Sequence, residues 1–527
     1  MRVLVSDKLS ERGIALFKKE PSLEVDVKTG MSKEELIACI KEYDALAVRS
    51  ETKVTAEVIE AAKKLKVVGR AGIGVDNVDQ ASASKKGIIV MNTPTGNTIT
   101  TAEHAFALML SLARNIPQAN ASTKTGGWEK KKFTGVELFN KTLGIIGMGR
   151  IGGEFAKRAL GFGMRIIAYD PFLSLEKARE LNVEVVDLSR LFIESDFITI
   201  HTPLTGETKD IINKDAFSKM KKNVRIINCA RGGIVNEADL AEAVKNGQIA
   251  GAALDVFTQE PIDKTNLLLG VDKVICTPHL GASTDEAQEN VSIAIAEQII
   301  DYLKNGVIRN AVNAPSIPFE LLKEMKPYIT LAEKLGSLRS QLLEGRINRI
   351  KITYSGEILR HKVDALTVAV LKGILEPILV EDINFVNAPV LARDRGIKVE
   401  EIKSTDITDY SSLISIEVTT NKGKYTIAGA LFNKNEPRVV NIDGYSLEAV
   451  LAGYMLIFYN QDIPGIIGRV GTILGEQGVN IAGMKVGREK QGGEAIAIMN
   501  IDSPVNSKAL RIIRELPNVI KAEFVTL

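Results

Sequence analysis

Three residues suited to proton transfer and anion binding follow apolar runs that predict β-strands. Arg231 follows residues 224–228, Glu260 comes shortly after residues 250–254, and His279 follows residues 274–276. Ligands of parallel α/β sheets bind beyond the carboxyl ends of the strands, so these side chains are expected to meet at one edge. An arginine fork holds a carboxylate, and a histidine oriented by a carboxylate can move a proton. The pattern predicts a catalytic site made of Arg231, a carboxylate from Asp255 or Glu260 and a histidine, although His201 or His279 taken singly is more often structural.

A glycine-rich segment upstream predicts a dinucleotide site. Residues 142–170 read TLGIIGMGRIGGEFAKRALGFGMRIIAYD, a strand, a GxGxxG turn, a helix and a second strand ending at Asp170. The three glycines would allow a tight turn, close approach of a pyrophosphate and close helix packing; they are Gly147, Gly149 and Gly152. The N–H groups of Arg150 and Ile151 would face the phosphates from the helix N-terminus. Asp170, 18 residues after the last glycine, would accept hydrogen bonds from the ribose hydroxyls.

A second set of residues predicts an anion site nearer the N-terminus. Arg49 and Arg70 directly follow predicted strands at residues 45–48 and 67–69. A run of three lysines lies in a polar loop. Paired or solvated side chains are the alternative explanation for both groups. Two glycines would let backbone N–H groups approach the same ligand. The candidates for binding a substrate anion are Arg49, Ser50, Arg70, Gly72, Ile73, Gly74, Lys130, Lys131 and Lys132.

The elements that would position these residues alternate between strand and helix, which predicts α/β domains with doubly wound parallel sheets. After a proline-containing linker at residues 314–318, the pattern changes to strand-rich segments and then to the order βαββαβ, which is ferredoxin-like. We therefore expect four domains: a discontinuous substrate-binding domain at 1–97 and 285–312, a dinucleotide-binding domain at 98–284, an α+β domain at 313–450 and a ferredoxin-like domain at 451–527.

The bulk composition argues against several functional classes. The 67 basic and 65 acidic residues nearly balance, which gives no electrostatic case for binding nucleic acid or an anionic membrane. The three cysteines lack CxxC spacing, so we expect neither a disulfide framework nor a metal site. No apolar run approaches the roughly 18 residues of a membrane helix. The N-terminus MRVLVSDKLSERG lacks the pattern of a signal peptide, and we expect a cytoplasmic protein.

Six ordered blocks of the chain resemble the D-isomer-specific 2-hydroxy acid dehydrogenases. They are RAGIGVDNVD, GMGRIGG, YDP, NCARGGIV, LDVFTQEP and TPHLGAS, all within residues 1–312. With its two C-terminal domains, the chain is most similar to the long members of that family that act on 3-phosphoglycerate. The resemblance implies a Rossmann NAD domain, an intervening domain and an ACT regulatory domain. Ile73 and Lys130 depart from some relatives, in which threonine and arginine are common at these positions.

The resemblance implies NAD-dependent oxidation of 3-phospho-D-glycerate to 3-phosphohydroxypyruvate, the first step of L-serine biosynthesis. His279 would take the hydroxyl proton, Glu260 would fix the imidazole tautomer, and Arg231 would hold the substrate carboxylate. Asp255 would contact the nicotinamide. The residues implied in NAD binding are Gly147, Gly149, Arg150, Ile151, Gly152, Asp170, Thr202, Cys229, Ala230, Arg231, Asp255, His279, Leu280, Gly281 and Ala282.

The C-terminal segment resembles the ACT domain, an amino-acid-sensing module, in its DIPG turn and GVNI segment. The expected effector ligands are Asn460, Asp462 and Asn480, and the resemblance implies L-serine as the effector. A dimerisation domain without a ligand is the alternative. A sheet edge left exposed favours pairing with a second copy, so we expect a homo-oligomer, either a dimer or a tetramer.

Two other functions remain open from the sequence. One is a related reductase of glyoxylate or hydroxypyruvate, which would need no phosphate site. The other is a corepressor-like NAD sensor, because a related family uses this fold to bind transcription factors.

Overall fold

The computed structural model describes residues 1–316, 319–406 and 409–527. Its first unit alternates short apolar strands with short helices. The strands are β1 Arg2–Val5, β2 Glu24–Val27, β3 Ala45–Val48, β4 Val67–Arg70 and β5 Ile89–Met91, and the helices are α1 Glu11–Lys19, α2 Lys33–Cys39, α3 Ala56–Ala61 and α4 Gln80–Lys85. The strands pair in parallel in the order β2-β1-β3-β4-β5, and we call this the N-terminal sheet.

The second unit carries a seven-stranded sheet, which we call the central sheet. Two helices lead into it, α5 Thr98–Arg114 and α6 Ile116–Lys124. Its strands are β6 Thr142–Ile146, β7 Arg165–Tyr169, β8 Glu184–Val185, β9 Phe197–Ile200, β10 Arg225–Asn228, β11 Gly251–Leu254 and β12 Val274–Cys276. The helices between them are α7 Arg150–Gly161, α8 Leu175–Glu180, α9 Leu188–Glu194, α10 Lys214–Lys219 and α11 Glu237–Lys245.

All pairings in the central sheet are parallel, and the order is β12-β11-β10-β9-β6-β7-β8. The chain builds outward from β6 in one direction and then restarts at β9 in the other. The crevice at the carboxyl ends of β6 and β9 is therefore a topological switch point, where such sheets bind ligands.

Helix α12, Asp285–Asn305, returns the chain to the N-terminal sheet. Its buried residues Val291, Ile295 and Ile299 pack in the same core as Val3 and Met91. A segment from residues 285–305 therefore packs on the N-terminal sheet, as expected for a discontinuous domain. The domain boundaries given above stay predictions.

The third unit combines three helices with a mixed sheet, which we call the third sheet. Its elements are α13 Phe319–Leu342, β13 Ile347–Gly356, α14 Asp364–Leu375, α15 Ala388–Asp394, β14 Lys398–Ser404, β15 Ser412–Thr420, β16 Lys424–Phe432, β17 Glu436–Ile442 and β18 Tyr445–Val450. The order is β14-β13-β15-β16-β17-β18. Within the described part of this sheet, β13 and β14 pair in parallel and the other neighbours pair antiparallel. The predicted linker extends into residues 317–318, which lie outside the described residues.

The fourth unit has the order βαββαβ. Its elements are β19 Tyr454–Gln461, α16 Ile466–Glu476, β20 Ile481–Arg488, β21 Glu494–Ile501, α17 Ser507–Arg514 and β22 Val519–Thr526. The strands pair antiparallel in the order β20-β21-β19-β22, which we call the C-terminal sheet. One face of this sheet joins the core of the third unit through Met455, Ile457, Ile496, Ile498 and Val525.

The predicted fold class, two parallel-sheet domains followed by an α+β domain and a ferredoxin-like domain, is confirmed. Three 3-10 helices complete the regular structure described here: Ile40–Glu42, Leu267–Gly270 and Glu357–Arg360. Across the described ranges, the search for a helix with the length and apolar character of a bilayer-spanning segment found none.

Candidate active site

The GxGxxG turn lies between β6 and α7, at the switch point of the central sheet. Two of its glycines are required by neighbouring backbone: a Cβ on Gly147 would lie 2.7 Å from the His201 carbonyl oxygen, and one on Gly152 would lie 2.2 Å from the Gly147 carbonyl oxygen. Gly149 differs, because within the described part of the chain no atom lies within 4 Å of a Cβ built on it. Gly149 is also the N-cap of α7, and it has no side chain that could occupy the first N–H groups of the helix. The turn therefore leaves open space in front of the N–H groups of Arg150 and Ile151, where an anion is favoured.

Two further side chains at this crevice fit a dinucleotide. Asp170, at the end of β7, accepts hydrogen bonds from the Met148 N–H at 2.7 Å and the Phe172 N–H at 2.8 Å, which fixes its carboxylate beside the turn. Thr202 follows β9, and its Oγ1 is buried with no hydrogen-bond partner among the residues that the structure describes. An unpaired buried hydroxyl is unfavourable unless a ligand bonds it. The donor set therefore fits NAD.

His279 and Glu260, which the sequence predicted to meet, are in hydrogen-bond contact. His279 Nδ1 lies 2.7 Å from Glu260 Oε2, and Glu260 Oε1 accepts a hydrogen bond from the Phe257 N–H at 3.0 Å. Burial alone would raise the pKa of Glu260, but the bonds from His279 and Phe257 outweigh it and lower the pKa. The carboxylate thus stays ionised and holds Nδ1, which leaves the Nε2 atom of His279 for a substrate proton.

Asp255, at the end of β11, anchors the loop that carries His279. Its fully buried carboxylate accepts from Thr277 Oγ1 at 2.6 Å and from the N–H groups of Leu280 and Gly281, both at 2.8 Å. His104 Nε2 on α5 lies 3.1 Å from the same carboxylate. Burial alone would raise the pKa of Asp255, but these hydrogen bonds lower it. The nicotinamide contact of Asp255, and the roles given to Leu280, Gly281 and Ala282, stay predictions.

His104 is a site neighbour that the sequence reasoning missed. It lies on α5 one turn from the buried residues Thr101 and Leu108, and a titratable residue on such a face was the available signal. His201, by contrast, packs its ring on Phe155 and lies 3.1 Å from Thr199 Oγ1. Burial lowers the pKa of His201 to about 3, so this histidine is neutral and structural.

The loop after β10 presents Arg231 to the cleft. Asn228 shapes this loop, because its side chain accepts from the Ala230 N–H at 3.0 Å and donates to the Arg231 carbonyl at 2.9 Å. Burial raises the pKa of the Cys229 thiol, so Cys229 is a neutral, packed side chain. Asn228 was not among the predicted site residues, although it ends a strand as the others do.

Three arginines gather at the cleft between the N-terminal and central sheets. Arg70 folds back over Gly72, where a Cβ would lie 1.8 Å from Nη1, and Arg231 lies over Gly74, where a Cβ would lie 1.8 Å from Nη2. Burial, with the nearby positive charges of Arg231 and Arg49, lowers the pKa of Arg70 to about 10. The two glycines make room for guanidinium groups, a role that differs from the close N–H approach that the sequence suggested.

Polar groups at other strand ends support this cluster. Asp7, after β1, is buried and accepts from the Arg49 N–H at 2.6 Å and the Thr52 N–H at 3.1 Å. The Asn77 side chain donates to the Arg49 carbonyl at 2.7 Å, and the Asn92 side chain donates to the Ile73 carbonyl at 2.6 Å. These partners fix the backbone around the predicted substrate residues Arg49, Ser50, Gly72, Ile73 and Gly74. Asp7, Asn77 and Asn92 were not among the predicted site residues.

The lysine loop makes local contacts. Lys130 lies 5.7 Å from the centre of the exposed Trp128 ring, and Lys132 Nζ lies 3.3 Å from a Glu129 carboxylate oxygen. The other contacts described for this loop are also local and involve Glu129, Phe133 and Thr134. None of the contacts described for the three lysines reaches the arginine cluster of the same chain. Their role as phosphate ligands stays a prediction.

The three predicted effector residues do not share one place on the C-terminal sheet. Asn460 pairs with Ala495, which pairs with Arg488, whereas Ile481 pairs with Ile501 at the level of Tyr454. Asn480 therefore lies at the opposite end of the sheet from Asn460 and Asp462, about 20 Å away at about 3.4 Å per residue.

The partners of these residues differ as well. Asp462 accepts from Arg488 Nη1 at 2.8 Å, while Asn480 donates to Asp502 at 2.7 Å. Asn460 is almost fully buried, and its Oδ1 has no partner in the described ranges. One molecule of effector could thus contact all three residues only with the help of a second chain.

Several solved structures are similar to about 60% of this chain. A protein titled TT0316, from Thermus thermophilus, is 34% identical with a TM-score of 0.55, and the match covers 59% of this chain and all of that one. D-lactate dehydrogenase from Aquifex aeolicus, complexed with NAD and lactic acid, is 28% identical with a TM-score of 0.54, covering 60% of this chain and all of that one. The glycine-rich turn, the open helix N-terminus and the His279–Glu260 pair define an NAD-dependent dehydrogenase.

Sequence comparisons give the family. Three family models match: D-isomer specific 2-hydroxyacid dehydrogenase, NAD binding domain, over residues 106–281; D-3-phosphoglycerate dehydrogenase intervening domain over 324–443; and ACT domain over 454–518. The D-3-phosphoglycerate dehydrogenases of Archaeoglobus fulgidus and Bacillus subtilis are 49% and 42% identical over all of this chain and 100% and 99% of theirs. The chain belongs to the D-isomer specific 2-hydroxyacid dehydrogenases and, within them, to the D-3-phosphoglycerate dehydrogenase family, as the sequence predicted.

Proposed function

We propose that this enzyme oxidises 3-phospho-D-glycerate to 3-phosphohydroxypyruvate with NAD, as the first step of L-serine biosynthesis. One observation carries the proposal: the His279–Glu260 pair, 2.7 Å apart, and Arg231 of the three-arginine cluster follow the neighbouring strands β12, β11 and β10, at the same edge of the central sheet as the glycine-rich turn after β6. The relatives named D-3-phosphoglycerate dehydrogenase, similar over the whole chain, support the same substrate.

The protein's part in the reaction is to bind the acid and move one proton. NAD, when bound, supplies the hydride acceptor, and the N–H groups after Gly149, Asp170 and Thr202 would hold it. His279 Nε2 takes the hydroxyl proton in oxidation and returns it in reduction, while the Glu260 carboxylate stabilises the imidazolium that forms. Arg231 holds the substrate carboxylate, since its fork of donors matches two oxygens.

The charge of the cleft suits a substrate with both a carboxylate and a phosphate. Burial and the positive charges of Arg231 and Arg49 lower the pKa of Arg70 to about 10. The nearby carboxylates of Asp76 and Asp7 offset this effect only in part. A multiply charged anion would relieve the repulsion among these arginines. Lys130, Lys131 and Lys132 are further candidates for the phosphate.

Steady-state NADH oxidation tests this proposal. We expect kcat/KM for phosphohydroxypyruvate to exceed the values for hydroxypyruvate and glyoxylate, because only the first substrate uses the phosphate-binding cations. A preference for glyoxylate or hydroxypyruvate would identify a reductase of the same family instead. Binding of NADH without turnover of any of the three would favour the corepressor-like function, which no observation on this chain supports.

We further propose feedback regulation by L-serine in a homo-oligomer, a dimer or a tetramer. Because Asn480 lies at the far end of the sheet from Asn460 and Asp462, the effector site would use Asn480 of a second chain. Deleting the C-terminal domain is a poor test, since it would remove Met455, Ile457 and Val525 from a shared core.

Point variants are the better test of the effector site. Asn480→Ala should weaken serine binding in calorimetry, whereas Lys508→Ala, an exposed change on α17, should not. Equal serine affinity in both variants would exclude Asn480 from the site. Analytical ultracentrifugation of the intact protein tests the oligomeric state, and a monomer would refute the shared site. The cytoplasmic location and the four domain boundaries remain part of this proposal.

A further inference from the structure

One ion pair crosses the cleft at the arginine cluster. Asp76 lies in the loop between β4 and α4 of the N-terminal sheet unit, and Arg231 lies after β10 of the central sheet. Arg231 Nε donates to Asp76 Oδ2 at 2.9 Å. Neither the sequence pattern nor the reaction proposed above assigns a role to Asp76.

The surroundings of Arg231 hold its guanidinium in one orientation. In addition to the Asp76 bond, Nη1 donates to the Ala230 carbonyl at 2.6 Å, and Nη2 lies in the space that the missing side chain of Gly74 leaves. A guanidinium has five N–H donors. Two are used by these partners, which leaves three for a ligand, including both on Nη2.

Fold stability gives a weak reason for this pair. The Asp76 side chain is 75% exposed, and exposed ion pairs contribute little to the free energy of unfolding. Its negative charge also opposes the binding of an anionic substrate. If Asp76 acted only through its charge, removing the charge would therefore lower KM for the substrate. If Asp76 acts by orienting Arg231, removing its oxygen would lower kcat/KM.

We propose that Asp76 is the positioning residue of Arg231, holding the guanidinium so that Nη1 and Nη2 face the substrate carboxylate. This inference rests on the proposed role of Arg231 in binding that carboxylate. Since the two residues come from different sheets, the orientation is correct only when the cleft brings the sheets together. Through Asp76, the orientation of Arg231 would thus depend on the position of the N-terminal unit.

Three variants separate orientation from charge. Asp76→Ala removes both the charge and the acceptor, Asp76→Asn removes the charge but keeps an acceptor oxygen, and Glu51→Gln removes an exposed carboxylate close in sequence to Arg49. In phosphohydroxypyruvate reduction, Asp76→Ala should lower kcat/KM by about tenfold to a hundredfold, the usual effect of a displaced binding group. Asp76→Asn should recover most of this loss. Glu51→Gln should leave kcat unchanged, and KM for NADH should be the same in all three.

The contrary results are equally distinct. Wild-type kinetics in Asp76→Ala, or the same lowered substrate KM in Asp76→Ala and Asp76→Asn, would overturn the positioning role. Arg231→Lys, measured in parallel, tests the proposed function separately: near-normal activity there would remove Arg231 as the carboxylate ligand. If Arg231→Lys is severely impaired while Asp76→Ala is normal, the positioning inference alone fails. In the double variant, Asp76→Ala should add little to the loss from Arg231→Lys, because both act through one guanidinium.

Discussion

The space above Gly149 gives a sharp test of where the dinucleotide lies. Within the described residues nothing approaches within 4 Å of a Cβ built at this position, and the backbone there, with φ of −66° and ψ of −160°, is accessible to alanine. Gly149→Ala should therefore fold normally. The added methyl group would occupy the space in front of the helix N-terminus, where the pyrophosphate is expected to lie.

The expected magnitudes separate folding from binding. At an N-cap position, alanine is less favourable than glycine by about 1 kcal/mol or less, so the free energy of unfolding should change little. Overpacking a close contact typically costs about 1–3 kcal/mol. If that contact is with the pyrophosphate, the Kd for NADH should rise by about fivefold to 150-fold.

Two other glycines of the same helix provide controls. Gly161, at the end of α7, is exposed and has no neighbour within 4 Å in the described ranges, so Gly161→Ala should leave NADH binding unchanged and stabilise the helix by up to about 1 kcal/mol. Gly152→Ala would place a Cβ 2.2 Å from a backbone oxygen, so it should destabilise the fold itself.

Calorimetric titration with NADH and denaturant unfolding without nucleotide give the two quantities. The reasoning is refuted if Gly149→Ala binds NADH as tightly as Gly161→Ala does, because the pyrophosphate would then lie elsewhere. It is also refuted if Gly149→Ala loses as much unfolding free energy as Gly152→Ala, since the space at Gly149 would then be needed by the protein.

The remaining predictions concern the other parts of the site. The enzyme should prefer NAD over NADP because the Asp170 carboxylate repels a 2′-phosphate, and Asp170→Ser should narrow the ratio of the two kcat/KM values; an unchanged ratio would exclude Asp170. Glu260→Gln should lower kcat, because the imidazolium that forms on His279 loses the carboxylate that stabilises it, and an unchanged kcat would contradict the pairing. Because the pKa of Asp255 is lowered in the folded state, its stabilising effect is complete above about pH 4 and is lost as pH falls through the lowered pKa. Below about pH 4, the free energy of unfolding of Asp255→Asn should therefore fall less steeply with falling pH than that of the wild type. Equal slopes in the two proteins would contradict this role of Asp255. Neutralising residues 130–132 should raise KM for phosphohydroxypyruvate more than for hydroxypyruvate, whereas equal effects would leave these lysines as surface residues.

The meeting of Glu260 and His279 was accessible from sequence because their positions follow from strand ends. Short apolar runs fixed the parallel strands, and parallel strands bring their carboxyl ends to one edge. The same logic applied to Asp7 and Asn228 would have found two of the supporting side chains. The partnership of His104 with Asp255 was not accessible, because it depends on how α5 packs across the central sheet, 151 residues away in sequence.

The arginine cluster marks a second limit of pattern reasoning. The glycines around Ile73 were expected to expose backbone N–H groups, whereas Gly72 and Gly74 make space for Arg70 and Arg231. Residue spacing specifies where a side chain is missing. It does not specify which long side chain folds back into that space, since this depends on charge and burial across the cleft.

The effector residues show a case in which topology alone contained the answer. In a βαβ unit the two strands run in the same direction, so the end of the first strand and the start of the second lie at opposite ends of the sheet. Asn460 is the last residue but one of β19, Asn480 directly precedes β20, and both strands are antiparallel to β21. The βαββαβ order predicted from sequence therefore already excluded a single-chain site made of both residues. If Asn480 and Asp462 bind one small molecule, the molecule must lie between two chains. Binding of the effector and association of the chains would then depend on the same interface.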